Sequence, residues 1–176
     1  MALEVYRDEM FSRSSRCRMR RRLLSVVLMA LILAPLVALA QQNDMKLWVG
    51  TWKRNLAKSN YSGTPPTGDQ TVKLEIVNGL LQVTSTTVNA QGPTTTATYL
   101  VKFDGSERIS NAQAEAAMTY TFVDARTYEG FAKVKGQLTT TTRYALAADG
   151  KTHTLTTTGK NAQGQVVHNV VLYEKQ

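Results

Sequence analysis

Apolar and polar positions along this chain alternate in short segments, with no sustained helical period. From Thr71 onward, apolar and Thr-rich stretches are separated by turn signals at Asn78-Gly79, residues 89–92 ("NAQG"), Asp104-Gly105, 124–126 ("DAR"), 135–137 ("KGQ"), Asp149-Gly150 and 161–164 ("NAQG" again). This spacing predicts strands near 48–54, 71–77, 80–88, 93–103, 116–123, 127–135, 137–147, 152–159 and 165–174, with "SERIS" at 106–110 as a tenth, in an antiparallel all-β meander. Threonine suits such segments because its branched carbon fits a pleated surface while its hydroxyl tolerates water. "NAQAEAAMTY" at 111–120 is the one stretch that could pass for helix, and it is too short to carry a periodic face. Residues 59–70, "SNYSGTPPTGDQ", are expected to be loop, since Pro65 and Pro66 cannot join a central ladder.

The turns fix a register that can be followed from strand to strand. A two-residue type I′ turn at Asn78-Gly79 pairs Ile76 with Leu81 and Leu74 with Val83. A three-residue loop over Ala90-Gln91-Gly92, with Gly92 left-handed, then sets Val83 against Tyr99 and Leu81 against Val101. Beyond "DARTY" the same reasoning pairs Tyr120 with Gly130, Gly130 with Thr142, Thr142 with Thr157 and Thr157 with Asn169. One face then carries Met118, Phe122, Tyr128, Ala132, Val134, Leu138, Tyr144, Leu146, Leu155, Val167 and Val171. That face is expected inside, while Glu129, Lys133, Lys135 and Arg143 face solvent. The last strand stays open to a second reading, because Val166, Val170 and Leu172 would also point outward: it is buried on both sides, or it slips by one residue.

The first 40 residues read as an address instead of as part of this fold. Six arginines between Arg13 and Arg22 precede the apolar run "LLSVVLMALILAPLV", and Ala38-Leu39-Ala40 offers the small residues of a cleavage site. The run is shorter than the roughly 20 residues a spanning helix needs. A helical signal peptide over 1–40, cleaved after Ala40, is therefore expected, with a secreted or periplasmic product that has no membrane contact after cleavage. Met19 itself opens a complete leader, so residues 1–18 are either an extended n-region or lie ahead of the true start. Loss of seven arginines and three acids reduces 21 basic and 13 acidic residues to 14 and 10, so the net charge falls from +8 to +4. Spread over the remaining chain without a basic cluster, that charge is no footprint for nucleic acid. Cys17 leaves with the leader, so residues 41–176 must stand as one domain on their own core. At this length roughly two thirds of the unfolded surface can be buried.

A meander of this size usually closes on itself to remove its edges, and eight or more strands leave room inside for side chains or one small ligand. The stretch "LWVGTWKRNLAKS" bears on this. Gly50-Thr51-Trp52 resembles the Gly-x-Trp that opens the first strand of lipocalin-like (calycin) barrels. Together with the terminal "NAQGQVVHNVVLYEK", it is similar to small secreted bacterial lipocalin-like proteins over most of residues 45–176. The resemblance implies an up-and-down barrel of about eight to ten strands, closed, with Gly50 allowing close passage and Trp52 filling the barrel floor. It also implies a cation stacked on the indole, for which the sequence offers no late arginine: the last, Arg143, is expected outside, opposite Glu129. Trp48, an even number of residues away, would share the floor from the same strand face.

Catalytic chemistry finds little support. The mature chain has no cysteine, and its two histidines, His153 and His168, fall on opposite faces; even a one-residue slip leaves them about 13 Å apart along the strands. No metal site and no cofactor are expected. Ser85 is the one serine on the inner face, with no histidine expected near it and no Gly-x-Ser-x-Gly, so no enzyme is expected. The acceptor pattern Asn60-Tyr61-Ser62 reads as an ordinary polar loop.

One inner row stands out. Tyr120, Gly130, Thr142, Thr157 and Asn169 fall at one level on successive strands, and an unpaired buried polar group costs on the order of 1–3 kcal/mol. Either these residues satisfy one another in a filled core, or they line a pocket with apolar walls, Gly130 leaving the space. Tyr99, Tyr120, Tyr128, Gly130, Thr142, Tyr144, Thr157 and Asn169 are the candidate interior binding residues for a small apolar or amphipathic ligand. The alternative is a non-enzymatic structural or protein-interaction module with a filled core.

Overall fold

A computed structural model describes residues 44–90, 92–111, 115–161 and 163–176. The expected leader over 1–40 lies outside the described residues. Within the unit Gln41–Gln176, a helical segment at 44–48 precedes ten strands. These are β1 (Gly50–Asn60), β2 (Asp69–Val77), β3 (Leu80–Val88), β4 (Thr95–Val101), β5 (Arg108–Asn111), β6 (Ala116–Asp124), β7 (Thr127–Val134), β8 (Gln137–Leu146), β9 (Thr152–Lys160) and β10 (Val166–Lys175). The sheet order is β4-β3-β2-β1-β10-β9-β8-β7-β6-β5, so each strand pairs with its sequence neighbour and β1 pairs with β10. The expected all-β antiparallel meander is therefore the observed one.

The ladder does not close fully, as the barrel expectation required. β4 and β5 are the two edges and share no ladder, which leaves a half-barrel with a seam. Side chains span that seam: the Arg108 guanidinium lies 4.5 Å from the centre of the Tyr99 ring. Arg108 also acts electrostatically on Tyr120, on β6, favouring its ionised form against burial. A cation over an aromatic face contributes about 0.5–1 kcal/mol or more as water is excluded, so the seam is held by side chains where main-chain pairing stops.

The registers are those the turns dictate. Leu74 faces Val83, Val83 faces Tyr99, Tyr120 faces Gly130, Gly130 faces Thr142, Thr142 faces Thr157 and Thr157 faces Asn169. The last strand does not slip: Val171 packs on the core, while Val166 is 73% exposed. Two local details differ. Gly92 is not left-handed, and its loop is closed by the Asn89 amide donating to the Pro93 carbonyl at 2.8 Å. At the β7–β8 connection, Lys135 and Gly136 are both left-handed (φ 51° and 73°), and the register shifts by one beyond Ala132. That bulge turns Leu138 outward, 57% exposed, where the inner face was expected. Gly159 lies opposite it. A Cβ there would collide with the Thr139 carbonyl and sit 2.8 Å from Thr140 Cα, so the bulge is accommodated by a missing side chain.

Trp48 belongs to the helical segment, not to β1 as the even spacing suggested. Five described helical residues are too few to show a helical period in sequence, but they place Met45 and Trp48 in the core beside Trp52, Leu74, Leu81, Val101 and Phe103. The loop at 59–70 is shorter than expected, because Ser59, Asn60, Asp69 and Gln70 lie in strands.

Candidate functional site

The floor is built where β1 meets the helical segment. Trp48 and Trp52 are both fully buried, and the Trp52 indole N–H donates to the Trp48 carbonyl at 2.9 Å. The missing late arginine has a substitute: Lys175, paired with Trp52 across β1 and β10, holds its ammonium 5.1 Å from the indole centre. Gly50 makes room for it. A Cβ at Gly50, where φ is 144°, would sit 2.6 Å from Lys175 Cε, so the close passage is by a side chain and not by backbone.

Above the floor lies an interior cavity of about 170 Å³. Its aliphatic wall comes from Val72, Leu74, Val83, Val101 and Leu155, and its aromatic wall from Tyr99, Tyr120, Tyr128 and Tyr144. Tyr128 and Tyr144 stack with ring centres 4.2 Å apart and planes 15° from parallel. Burial pushes all four tyrosine hydroxyls above their ordinary range, with Arg108 opposing the effect at Tyr99 and Tyr120. Ionisation in this wall is strongly disfavoured.

The polar part of the lining is Gln70, Ser85, His153 and Tyr173. The Tyr173 hydroxyl donates to Gln70 Oε1 at 2.6 Å, and Gln70 Nε2 donates to Ser85 Oγ at 2.9 Å. Burial raises the Tyr173 hydroxyl to about 12, against the opposing charge of Arg54. Arg54 stands next to this chain, its Nη2 donating to the Gly68 carbonyl at 2.8 Å and its Nη1 to Gln70 Oε1 at 3.5 Å. His153 differs from its neighbours. It is 4% exposed, and among the described residues neither ring nitrogen has a hydrogen-bond partner. Its ring packs against Trp52, Tyr173 and Trp48 at 4.6, 4.9 and 5.7 Å, and burial lowers its pKa to about 4, so it is neutral at physiological pH.

Four expected interior residues, Tyr99, Tyr120, Tyr128 and Tyr144, line this cavity; the other four do not. The Thr142 and Thr157 hydroxyls hydrogen-bond each other at 2.9 Å. Asn169 Oδ1 accepts from the Ser62 amide and hydroxyl at 3.0 and 3.1 Å. Gly130 leaves space, but for Tyr120: a Cβ there would lie 2.9 Å from Tyr120 Cε1 and 3.5 Å from Tyr144 Cε2. Of the polar row, Tyr120 alone borders the cavity, Thr142 and Thr157 bond to each other, and Asn169 bonds to Ser62. Gln70 and Tyr173 were not singled out in sequence, and His153 was considered only as a metal ligand. His153 and Tyr173 share strand parity with Leu155 and Val171, whereas Gln70 fell in the expected loop and lies in β2 instead.

Ser85 and His153 border the same cavity, contrary to the expectation that no histidine lies near that serine. They form no hydrogen bond with each other, and Ser85 Oγ is taken by Gln70. No group of three or more metal-ligating side chains occurs among the described residues.

No protein-family model matches the chain. No curated protein sequence matches it significantly. Among solved structures, it is similar to the fluorescent protein UnaG. An asparagine-to-alanine mutant of that protein superposes with a TM-score of 0.53 at 17% identity, covering 74% of this chain and 97% of that one. The wild-type protein gives 0.51 at 18% identity, covering 75% and 99%. At such identities the likeness concerns the fold alone.

Proposed function

We propose that this chain is an exported, non-enzymatic barrel that holds a small, partly apolar molecule in its interior. The observation that carries the reading is the cavity of about 170 Å³ lined by four tyrosines and an aliphatic wall, with a few polar groups beside them. Apolar walls with a small number of placed polar groups are the usual composition of a ligand site. The fold likeness to UnaG supports an interior of this kind without specifying what fills it. Export follows from the leader-like residues 1–40, with cleavage after Ala40 and a secreted or periplasmic product. Nucleic acid is not a proposed partner, since the +4 of residues 41–176 forms no basic cluster in the sequence.

A structural or interaction module with a filled interior is the second reading. The Thr142–Thr157 hydrogen bond favours it, because two members of the inner polar row satisfy each other. Native mass spectrometry of protein purified from its own host separates the two. A retained small molecule, released on unfolding, supports the first reading; a bare polypeptide mass in every preparation supports the second.

A further inference from the structure

We propose that the ligand of this cavity is a small organic monoanion about one ring in size, its apolar body in the cavity and its carboxylate met at the β4–β5 seam by Arg108. The proposal rests on the interior-binding reading above and names the class of molecule. A site for a drug-sized molecule takes roughly 300 Å³ or more, whereas a dry apolar cavity of about 150 Å³ accepts benzene. At about 170 Å³, this cavity suits a single ring, with the acid group at its edge.

Register places Arg108 for this role. It pairs with Met118 across β5 and β6, and Met118 packs against the core, so Arg108 leaves its strand on the inner face. Its guanidinium then crosses the seam to lie 4.5 Å from the centre of the Tyr99 ring. Tyr99 and Tyr120, the two tyrosines on which Arg108 acts, both line the cavity. The cation therefore stands at the seam edge of the cavity, beside two of its lining rings.

What this guanidinium lacks is a counter-charge. Glu107, the carboxylate next to it in sequence, pairs with Lys133 at 2.7 Å. Among the described residues Arg108 forms no ion pair, and its Nε is buried without a hydrogen-bond partner. No Asp or Glu is among the described residues that line the cavity. A cation drawn partly out of water is stabilised by a paired anion, and a carboxylate fits the planar guanidinium fork. Because Nε is sealed, the terminal nitrogens are the ones that would take it.

The tyrosines mark where a negative charge is tolerated. Burial raises the Tyr128 and Tyr144 hydroxyls with no cation opposing it, whereas at Tyr99 and Tyr120 Arg108 opposes the rise. Both seam hydroxyls still stay protonated at neutral pH, and so remain donors for a carboxylate. Arg54, the other inward cation, does not line the cavity and spends its guanidinium on the Gly68 carbonyl and Gln70. One cation at the lining matches one negative charge.

The test titrates benzoate, its uncharged isostere benzamide, and toluene into the protein purified from its host, by calorimetry at neutral pH. Benzoate should bind roughly tenfold tighter than benzamide, and added salt should narrow that gap without changing toluene binding. In Arg108→Gln the preference for benzoate should disappear while toluene binding persists, and Arg108→Lys should restore part of it. Should both variants fail to fold, the salt dependence in the wild type carries the test. Benzoate binding no tighter than benzamide, a preference that salt leaves unchanged, or one that survives in Arg108→Gln overturns the assignment while leaving interior binding intact. A host-derived molecule seen by native mass spectrometry, with none of the three probes bound, does the same. No probe bound and no host molecule retained removes both readings.

Discussion

Trp52 donates its indole N–H to the main-chain carbonyl of Trp48, 2.9 Å away, and so ties the first strand to the helical segment before it. Both side chains are fully buried, and His153 touches both rings. Truncating Trp52 to Ala should cost roughly 3–5 kcal/mol, as large aromatic deletions in cores do. Trp52→Phe keeps most of the ring but strands the Trp48 carbonyl, and should lose roughly 1–3 kcal/mol. Urea titrations of the two variants check both figures.

Stability should depend on the protonation of His153. Its pKa is lowered to about 4 by burial, against an ordinary value of 6.5. Between these values the unfolded chain binds the proton and the folded chain does not, so stability is full above about pH 6.5 and falls as the pH drops toward 4. The loss should approach roughly 3 kcal/mol and level off below pH 4. Melting curves from pH 7.5 to 4 should show this slope in the wild type and a flatter one in His153→Phe.

Gly130 seats the Tyr120 ring. Gly130→Ala places a Cβ 2.9 Å from Tyr120 Cε1, so the tyrosine must shift toward the cavity or the strands must part. A cost of about 1–3 kcal/mol is expected from such overpacking. Gly130→Leu should cost more and also reduce the cavity, and paired stability and probe-binding measurements would show both losses together.

The leader gives a prediction independent of the fold. Cleavage after Ala40 leaves a mature chain beginning at Gln41. Intact-mass measurement of the exported protein should give that species, open or cyclised at the N-terminal glutamine. A mass that retains Leu23 to Val37 would end the export proposal.

Register was legible in the sequence because turn chemistry is local. Asn78-Gly79 sets Leu74 opposite Val83, and alternation carries that choice from strand to strand. The β7–β8 bulge was not legible. It follows from Lys135 and Gly136 both turning left-handed, and it becomes possible only because Gly159, distant in sequence, clears the space. The seam between β4 and β5 was likewise hidden, since nothing in "TTATYLV" or "RISN" says whether two edges will meet.

The site was legible in part for a similar reason. Parity placed Tyr99, Tyr120, Tyr128 and Tyr144 inside, but parity cannot say which level of the interior stays open. Thr142 and Thr157 are close enough to satisfy each other, and Ser62, from a loop, reaches Asn169. His153 carried no sequence signal beyond its alternation with Leu155. Its importance comes from the absence of a hydrogen-bond partner among the residues that surround it.

The central claim is that the interior between the tyrosine wall and His153 binds a small molecule, and a ¹⁵N–¹H correlation spectrum recorded during titration with phenol and toluene tests it most directly. The account predicts saturable shifts that centre on the strands around Val83, Tyr144, Leu155 and Tyr173, with Asn169 and Ser62 unmoved. Spectra that do not change at saturating probe, or that change only at exposed positions, would contradict it.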